Sequence, residues 1–557
     1  MRSRILLMTL ATMTQPLAAQ TTSMMTGPVR SPATYSGRST VYAPNGVVAT
    51  SQPLATTAAL RILDQGGNAI DAAVAAAAVL NVTEPHMTGM GGDMFAILWS
   101  AEEGRLVGLD ASGKSGSKTD YDALVAEGAE RVPGSGARSV TVPGALAGWS
   151  DLVETYGELT LAEVLAPAIQ IAEEGFPVTP IIAQDWAGTV EGLRRDPGSA
   201  ATYLVDGEAP KAGDWHRNAD LARTFQRIAD HGPETFYGGD LGAEVVAGLE
   251  ELGGYLTLDD LAHHESRWVE PLSIDYKNYT LYELPPAGQG IAALQMLKMV
   301  EGVDFSDIRH NSAEYLHLLI EAKKLAYADL SRYVADPDHM DVSTDALLDP
   351  AYLAGRASMI DPTTAADRPD AGHFATDSET IYLTAADRHG NMISFINSIY
   401  GYFGARVVVP GTGLMLQNRG GGFTLEEGHP NQIAPNKRPF HTIIPAFATK
   451  DGAPWLSFGV MSGSMQPQGH VQVLLNIVEY GMDPQEAIDA ARFRHFSGTR
   501  VAIENLDPEV AARLEAMGHT LRDPEGVAFG GAQAILKLAR GWAAGSDPRK
   551  DGMAAGN

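Results

Sequence analysis

A threonine at the start of a predicted β-hairpin carries the most informative chemistry in the sequence. Thr380 ends the polar segment Thr-Asp-Ser-Glu-Thr at 376–380. If the peptide bond before Thr380 were cut, this residue would hold a free α-amine beside its hydroxyl. An α-amine has a pKa of about 7.7–8.0, so its neutral fraction near pH 7 can take the hydroxyl proton. One residue would then be both nucleophile and base. The alternative reading of Thr380 alone is a β-forming residue at a strand start.

The elements around Thr380 are predicted to be strands. Two β-prone runs, at 380–386 and 392–397, flank an Asp-Arg-His-Gly-Asn turn and predict a hairpin. The composition of 335–376, rich in Asp, Pro, Ala and Gly, predicts a long irregular loop before it. Ordered structure is expected to begin near 41–43, with further strands at 94–99, 443–449 and 455–460, and helices at 470–479 and 508–517.

The chain before the hairpin is predicted to be mainly helical. The Ala-rich segment 68–80 predicts a buried helix that packs closely against a neighbour. His86 and Asp93 flank the glycine-rich turn that follows, and we expect them to cap or brace it. The order helix, loop, strand argues against a phosphate loop. The other expected helices span 53–63, 145–155, 161–174, 220–230, 241–252, 291–301 and 313–333.

Composition excludes several classes of function. The chain has 557 residues, 45% hydrophobic and 19% charged, which is typical of a globular protein. Its 40 Lys and Arg against 68 Asp and Glu give a net charge of −28, which disfavours binding to nucleic acid. The sequence contains no cysteine. Disulfides, cysteine nucleophiles, iron–sulfur clusters and thiolate zinc sites are therefore excluded.

The first residues are typical of a secretory signal peptide. A basic start precedes a mostly apolar run at 5–13, and 16–20 offer small residues for cleavage. We expect a signal peptide over 1–19 and a periplasmic or secreted protein; the alternative is a frayed amphipathic N-terminus. No other stretch reaches the ~18 uninterrupted apolar residues that span a bilayer, so no membrane anchor is expected.

Seven ordered stretches of the sequence carry a family resemblance. They are GGNAIDAAVAAAAVLNVTEPHMTGMGGDMF (66–95), VPGALAGW (142–149), LTLAEVLAPAIQIAEEGFPV (159–178), EAKKLAYADLSRYVADP (321–337), ETIYLTAADRHGN (379–391), PNKRPFHTIIPA (435–446) and GVMSGSMQPQGH (459–470). These stretches resemble the gamma-glutamyltransferase (glutathione hydrolase) family of N-terminal nucleophile hydrolases. The resemblance implies an α+β fold, a four-layer αββα sandwich, self-cleavage of a zymogen and acyl-enzyme chemistry.

The resemblance also implies where the precursor is cut. Thr380 falls on the family's nucleophile, so the scissile bond would be Glu379–Thr380. A heavy chain would run over 20–379 and a light chain over 380–557, both within one domain. No cofactor and no metal are implied, because an activated hydroxyl cleaves an amide without either.

Three further residues match parts of the family's catalytic machinery. Ser398 falls where the family has a second Thr that orients the nucleophile, and it keeps the hydroxyl. Ser462 and Gly463 fall on the paired glycines whose backbone N–H groups face the developing oxyanion. Loss of one such donor costs about 10²–10³ in rate in comparable enzymes, and a backbone donor survives a Gly-to-Ser change where the dihedral angles permit it.

The substrate-contact positions depart from the family pattern. Ser112 stands where glutathione-cleaving members have an Arg that binds the substrate α-carboxylate, and Lys114 or another cation would have to replace it. Gly422 stands where the family has the Asp that binds the α-ammonium. His441 and Thr442 replace two pocket serines. Losing two charge-assisted contacts would weaken selection of a free amino acid head by about 10²-fold or more.

One more substrate-contact position is changed, and two residues could contact a different acyl group. Tyr400 replaces the family Asn after the second hairpin strand. Arg419 and His441 are candidates to contact an acid-bearing acyl group, such as a short dicarboxylic monoamide. The alternatives are that Arg419 pairs with a loop carboxylate and that His441 is a packed, hydrogen-bonded wall residue.

The sequence leaves three functions open. The first is a Thr380 hydrolase and acyltransferase that cleaves a γ-glutamyl amide such as glutathione, transferring the acyl group to water or an amine. The second has the same mechanism with a non-glutamyl acid amide of glutaryl or oxamate type. The third is an unprocessed, non-catalytic binding protein. The expected partners are a small-molecule amide and the two chains of one precursor.

Overall fold

Two seven-stranded β-sheets lie face to face at the centre of the structure. The computed structural model describes residues 37–367, 380–526 and 528–557. The strands are β1 (Val41–Ala43), β2 (Val47–Thr50), β3 (Asp93–Ser100), β4 (Arg105–Ala111), β5 (Phe176–Pro177), β6 (Trp215–His216), β7 (Arg267–Val269), β8 (Leu272–Tyr276), β9 (Tyr279–Glu283), β10 (Ile381–Ala386), β11 (Met392–Ser398), β12 (Ala446–Lys450), β13 (Ala453–Val460), β14 (Phe493–His495), β15 (Arg500–Ile503), β16 (Thr520–Arg522), β17 (Ala532–Lys537), β18 (Trp542–Ser546) and β19 (Met553–Gly556).

The two large sheets combine strands from distant parts of the chain. Sheet A has the order β1-β18-β17-β13-β12-β9-β8, and sheet B has the order β19-β2-β10-β11-β3-β4-β7. Strands β14–β16 and the pair β5–β6 form two small additional sheets. Sheets A and B contact each other through β2, β10 and β11 of one and β13, β17 and β18 of the other. A hydrogen bond of 2.7 Å between the Thr384 and Ser457 hydroxyls crosses this interface.

Helices pack on the outer faces of both sheets. α1 and α2 contact sheet B, and α12 and α16 contact sheet A. The helices are α1 (Pro53–Asp64), α2 (Ala69–Thr83), α3 (Tyr121–Ala126), α4 (Ala145–Tyr156), α5 (Leu161–Glu174), α6 (Pro180–Ala187), α7 (Val190–Leu193), α8 (Pro197–Tyr203), α9 (Ala219–His231), α10 (Asp240–Glu251), α11 (Leu258–Ala262), α12 (Gly290–Met299), α13 (Ala313–Tyr333), α14 (Thr344–Leu347), α15 (Pro350–Ala357), α16 (Met465–Val478), α17 (Pro484–Asp489) and α18 (Pro508–Ala516).

The predicted hairpin is confirmed at the centre of sheet B. β10 and β11 pair antiparallel from Ile381 opposite Asn397 to Ala386 opposite Met392. β2 and β3 flank this pair, and every residue of both hairpin strands is buried. A central strand covered on both faces explains why the runs are almost continuously apolar rather than alternating.

The Ala-rich helix is buried along its whole length, as predicted. All residues of α2 are buried, and the helix packs against α1, α5 and β10. Asn68 begins it with a capping box, in which its side chain accepts from the Asp71 N–H and the Asp71 carboxylate accepts from the Asn68 N–H. Small Ala side chains permit this close contact with neighbours on several sides.

One sequence prediction is wrong in the described region. The segment 335–376 was expected to be irregular throughout, but it contains α14 and α15. Ser343 and Asp349 cap these short helices, and Pro350 occupies the first turn of α15. Ser, Asp and Pro are common both in loops and at helix N-termini, so the residues that begin these two helices made the segment resemble a loop.

Several predictions fall on residues outside the described ranges. They include the signal peptide at 1–19, the start of a heavy chain at residue 20 and Glu379 of the predicted scissile bond. Within the described part of the chain, none of the helices combines the length and the apolar character needed to cross a bilayer.

Candidate active site

Four polar residues form one row across the edge of sheet B. The register places Ile381 opposite Asn397, Asn397 opposite Met94, and Met94 opposite Ala111. Extending each register by one residue toward the sheet edge gives the row Thr380, Ser398, Asp93 and Ser112. Of these, Ser398 and Asp93 are directly paired in the β-ladder. Residues opposite one another across a sheet share a face, and neighbouring strands are about 4.8 Å apart. The row therefore brings together residues more than 250 positions apart in sequence.

Thr380 sits at the buried start of this row. Its side chain is fully buried, and its Oγ1 has no hydrogen-bond partner among the described residues. Leaving a buried hydroxyl without a partner costs free energy, so each such group calls for an explanation. Thr380 Oγ1 is therefore a buried hydroxyl left open to a further partner.

Ser398 lies next to Thr380 and is held in place by the backbone. The Tyr400 N–H donates to Ser398 Oγ at 2.8 Å. The same Oγ can therefore donate its own proton to a neighbouring acceptor. Tyr400 has φ of 79°, an uncommon conformation for a residue with a side chain, and strain of this kind is typical of functional sites.

Arg419 provides a buried cation close to the row. It begins the 3₁₀ turn Arg419–Gly422 and lies over the Tyr400 ring, with 4.4 Å from the guanidinium carbon to the ring centroid. Nη1 donates to Thr442 Oγ1 at 3.0 Å, but Nε and Nη2 have no hydrogen-bond partner within the described ranges. Burial lowers the pKa of Arg419 to about 10, so the group stays charged at neutral pH.

Asp93 accepts hydrogen bonds from residues beside the glycine-rich turn rather than from the turn it was expected to brace, and it faces Arg419. Its Oδ1 accepts from the Gly113 N–H at 3.0 Å, the Gly144 N–H at 3.4 Å and Gln417 Nε2 at 3.1 Å. Its Oδ2 has no hydrogen-bond partner in the part of the chain described and lies 3.9 Å from Arg419 Nε. Burial raises the pKa of Asp93 to about 7, against the opposing effect of Arg419. Sequence reasoning missed that Asp93 faces Arg419.

His441 forms the wall opposite Asp93. Its Nε2 lies 3.5 Å from Asp93 Oδ2, and its ring packs 5.2 Å from that of Phe95. Burial, and then the nearby Arg419 guanidinium, hold the pKa of His441 well below its usual range, so the ring is neutral. Neither ring nitrogen has a hydrogen-bond partner among the residues described, which differs from the hydrogen-bonded wall residue considered above.

Ser112 and Lys114 occupy different environments. Ser112 is buried in the row, and its Oγ meets no hydrogen-bond partner in the described structure. Lys114 is exposed and lines an outer cavity of about 720 Å³ with Arg267 and Arg438. The positive charge beside the buried row therefore comes from Arg419 rather than from the exposed Lys114.

The Ser462–Gly463 segment has the backbone shape expected of an anion-binding loop. Both residues have positive φ, 88° and 49°, immediately before α16. Consecutive N–H groups in turn conformations form anion-binding concavities, and a helix N-terminus adds partial positive charge. Gln289 Nε2 donates to the carbonyls of Thr442 and Gly463 at 2.6 and 2.8 Å, tying this loop to the pocket wall.

A second cluster has residue types that could hold a metal ion. His317, Glu321 and His519 place one ligand atom each within 4.8 Å of one another. These atoms are already engaged: His317 Nδ1 lies 2.8 Å from His519 Nε2, and Lys324 Nζ lies 2.6 Å from Glu321 Oε1. The arrangement is a hydrogen-bonded network that holds the backbone of residues 361 and 366.

Comparisons with known proteins identify the family to which the chain is similar. The family model described as gamma-glutamyltranspeptidase matches residues 55–557. The chain is 38% identical over 519 residues to a glutathione hydrolase-like YwrD proenzyme of Bacillus subtilis, covering 90% of this chain and 97% of that one. It is 36% identical over 527 residues to an oxamate amidohydrolase proenzyme of Klebsiella pneumoniae, covering 92% and 98%. A cephalosporin acylase from Bacillus halodurans has a similar structure, with a TM-score of 0.89 at 42% identity over 96% of this chain and 99% of that one.

Proposed function

The chain belongs to the gamma-glutamyltranspeptidase family, and from that premise we propose that it is a self-processing threonine amidohydrolase for a carboxylate-bearing acyl group. The observation that carries the proposal is the buried row at the edge of sheet B. Thr380, whose hydroxyl has no hydrogen-bond partner among the described residues, is in one row with Asp93. Asp93 in turn faces the buried Arg419 guanidinium, whose Nε and Nη2 lack acceptors in the same part of the chain. The helices packed on the outer faces of the two sheets support the four-layer αββα sandwich that the family resemblance implies.

Self-cleavage would create the catalytic group. Thr380 Oγ attacks the carbonyl carbon of Glu379, the C–N bond breaks, and the resulting ester is hydrolysed by water. This leaves a carboxylate on Glu379 and a free α-amine on Thr380. The chains 20–379 and 380–557 result from the cut, and the signal peptide at 1–19 would direct the precursor for export.

Turnover then uses the new amine as the base. The amine takes the Oγ proton as Oγ attacks the substrate amide, and the proton passes to the leaving amine as the C–N bond breaks. Ser398 orients Thr380, and the backbone N–H groups of Ser462 and Gly463 stabilise the oxyanion. Water or an amine releases the acyl group from Thr380. No metal or other cofactor is needed for these steps.

The position of Arg419 favours an acyl group that carries a carboxylate at the end remote from the cleaved amide. A guanidinium with two unpartnered nitrogens matches a carboxylate, and Ser112, Tyr400, His441 and Thr442 would complete the pocket. Two strand spacings, about 10 Å, separate the strands of Thr380 and Asp93. This span suits a glutaryl-length chain better than the two-carbon oxalyl group of oxamate.

A γ-glutamyl amide such as glutathione is the second candidate. The observation in its favour is Asp93 Oδ2, which has no hydrogen-bond partner in the described structure and could accept from an α-ammonium. Against it, Gly422 supplies no carboxylate at the position implied by the resemblance. The relative rates at which the wild-type enzyme cleaves glutaryl and L-γ-glutamyl p-nitroanilide separate the two candidates.

The nucleophile is tested by removing its hydroxyl. Thr380→Ala is expected to remain one full-length band on denaturing electrophoresis and to have no amidase activity. Thr384→Ala is the matched control, because it removes a hydroxyl from the same strand that bonds Ser457 across the two sheets. It is expected to give two bands of about two-thirds and one-third of the chain.

N-terminal sequencing completes this test. The smaller fragment should begin Thr-Ile-Tyr-Leu, the sequence from Thr380 onward. Full activity in an uncut polypeptide, or a fragment that begins at another residue, would show that Thr380 is not the self-generated nucleophile.

A further inference from the structure

We propose that Asp93 binds the acyl carboxylate of the substrate as a protonated acid, beside Arg419, so that binding takes up one proton. The inference rests on the proposed carboxylate-bearing acyl group. It assigns a role in substrate specificity to a residue whose contacts otherwise look purely structural.

The two oxygens of Asp93 have different surroundings. Oδ1 accepts three N–H groups, from Gly113, Gly144 and Gln417, which fixes the plane of the carboxyl group. Oδ2 faces Arg419 and His441 and is the oxygen without a hydrogen-bond partner in the described part of the chain. A proton on Asp93 would therefore lie on Oδ2, on the side that faces Arg419 and His441.

The charge balance of the pocket changes when a carboxylate enters it. In the free site, one carboxylate, Asp93, faces one guanidinium, Arg419, at 3.9 Å. A bound substrate carboxylate would leave two negative groups and one positive group in a buried space. Two carboxylates that share a buried site cannot both stay ionised at low cost, so one takes a proton. The proton then joins the two carboxyl groups in a charge-assisted hydrogen bond.

The other charged and titratable groups around Asp93 do not offset the negative charge that a bound carboxylate would add. His441 is neutral, because burial and Arg419 hold its pKa well below the usual range. Asp110 on β4 adds negative charge and is itself paired with Arg267. The Arg438 guanidinium is near Asp93, but Asp110 and Asp336 also face it, and its Nε donates to the Ser112 carbonyl at 3.3 Å. Burial raises the pKa of Tyr237, so its hydroxyl stays neutral. Burial has already raised the pKa of Asp93 to about 7, so protonation requires little further change.

A proton requirement gives binding a defined pH dependence. Below the pKa of free Asp93 the proton is already present, and affinity for the carboxylate is constant. Above that pKa each binding event must capture a proton from solution. The dissociation constant then rises about tenfold per pH unit until Asp93 in the complex also ionises.

Calorimetry with glutarate measures the proton directly. The processed enzyme is titrated with glutarate at pH 8 in two buffers of different ionisation enthalpy, and the difference in binding enthalpy gives the number of protons taken up. We expect close to one proton. Glutarate binding without proton uptake overturns the inference and leaves the proposed function intact. Failure of glutarate to bind overturns the proposed acyl group itself.

Two variants separate Asp93 from its surroundings. In Asp93→Asn the side-chain oxygen can still accept from Gly113 and Gly144, while the new amide donates as the protonated Oδ2 would. We expect this variant to bind glutarate with no proton uptake and with an affinity that is flat from pH 6 to 8. Asp110→Asn is the control, because it removes a nearby carboxylate that pairs with Arg267, and it should keep the uptake.

The same variant identifies the alternative role of Asp93. If Asp93→Asn instead loses cleavage of γ-glutamyl substrates and keeps the wild-type proton uptake with glutarate, then Asp93 is an ammonium acceptor and the inference is wrong. If the variant fails to self-cleave, the two-buffer result on the wild-type enzyme still decides.

Discussion

At the scale of single residues, Arg419 should decide which acyl group the enzyme accepts. Its Nε and Nη2 have no acceptor among the described residues, so a bound carboxylate would complete the buried guanidinium. Arg419→Lys keeps the charge but loses the planar pair of donors. One lost charge-assisted hydrogen bond costs about 1.5–3 kcal/mol, so we expect kcat/KM for glutaryl p-nitroanilide to fall about ten- to hundredfold.

The measurement compares two chromogenic amides that differ only at the α-carbon of the acyl group. Wild-type enzyme is expected to cleave glutaryl p-nitroanilide in preference to L-γ-glutamyl p-nitroanilide. Arg388→Lys, on the exposed turn of the β10–β11 hairpin, is the matched control and should cleave both as wild type does. A strong wild-type preference for the γ-glutamyl compound would remove the proposed acyl group and favour the second candidate.

At the scale of elements, the position of β11 depends on glycines that permit backbone contact. A Cβ at Gly92 would overlap the Ser398 carbonyl, and a Cβ at Gly91 would overlap the Met415 carbonyl. Gly92 does not need a left-handed conformation, so space alone excludes a side chain there. The glycine-rich turn therefore sets how closely Asp93 approaches Ser398 and, through Ser398, Thr380.

Gly92→Ala tests this packing. We expect slower self-cleavage and a loss of stability of about 1–3 kcal/mol, because the end of β11 must shift to make room. Gly355→Ala in α15 is the control, since no heavy atom lies within 4 Å of its added Cβ. It should process normally and gain up to about 1 kcal/mol from helix propensity. Normal processing of Gly92→Ala would show that the glycine contact does not position the site. Denaturant titration and a gel time course give both readouts.

Local sequence signals predicted the helices and strands better than they predicted which residues meet in the candidate site. Helices at 161–174 and 313–333 agree with α5 and α13, because apolar spacing and capping residues act within a few positions. The Asp93–Arg419 pairing joins residues 326 positions apart, and no local pattern encodes such a register. The sequence indicated that two charged side chains that bind substrate in the family are absent, at Ser112 and Gly422. The structure places a carboxylate beside the first position and a guanidinium at the start of the turn that ends at the second.

At the scale of the whole molecule, the proposed cut would not separate the two halves of the fold. Five strand pairings join residues before 379 to residues after it: β1 with β18, β2 with β10, β2 with β19, β3 with β11 and β9 with β12. Both sheets are therefore shared between the two predicted chains. The largest apolar core contains residues from both as well, among them Val74 and Leu80 of α2 and Leu383 and Phe395 of the hairpin.

This interleaving predicts that the processed protein behaves as one folding unit. The two fragments should elute together at the size of the uncut chain in native size-exclusion chromatography, and lose their structure in a single transition on denaturation. Separation requires breaking ladders in both sheets and exposing a core that neither chain can bury alone, so salt or dilution should not achieve it. Thr380→Ala, which stays uncut, provides the matched reference. Fragments that separate under native conditions would show that the cut lies elsewhere or that the sheets are not shared.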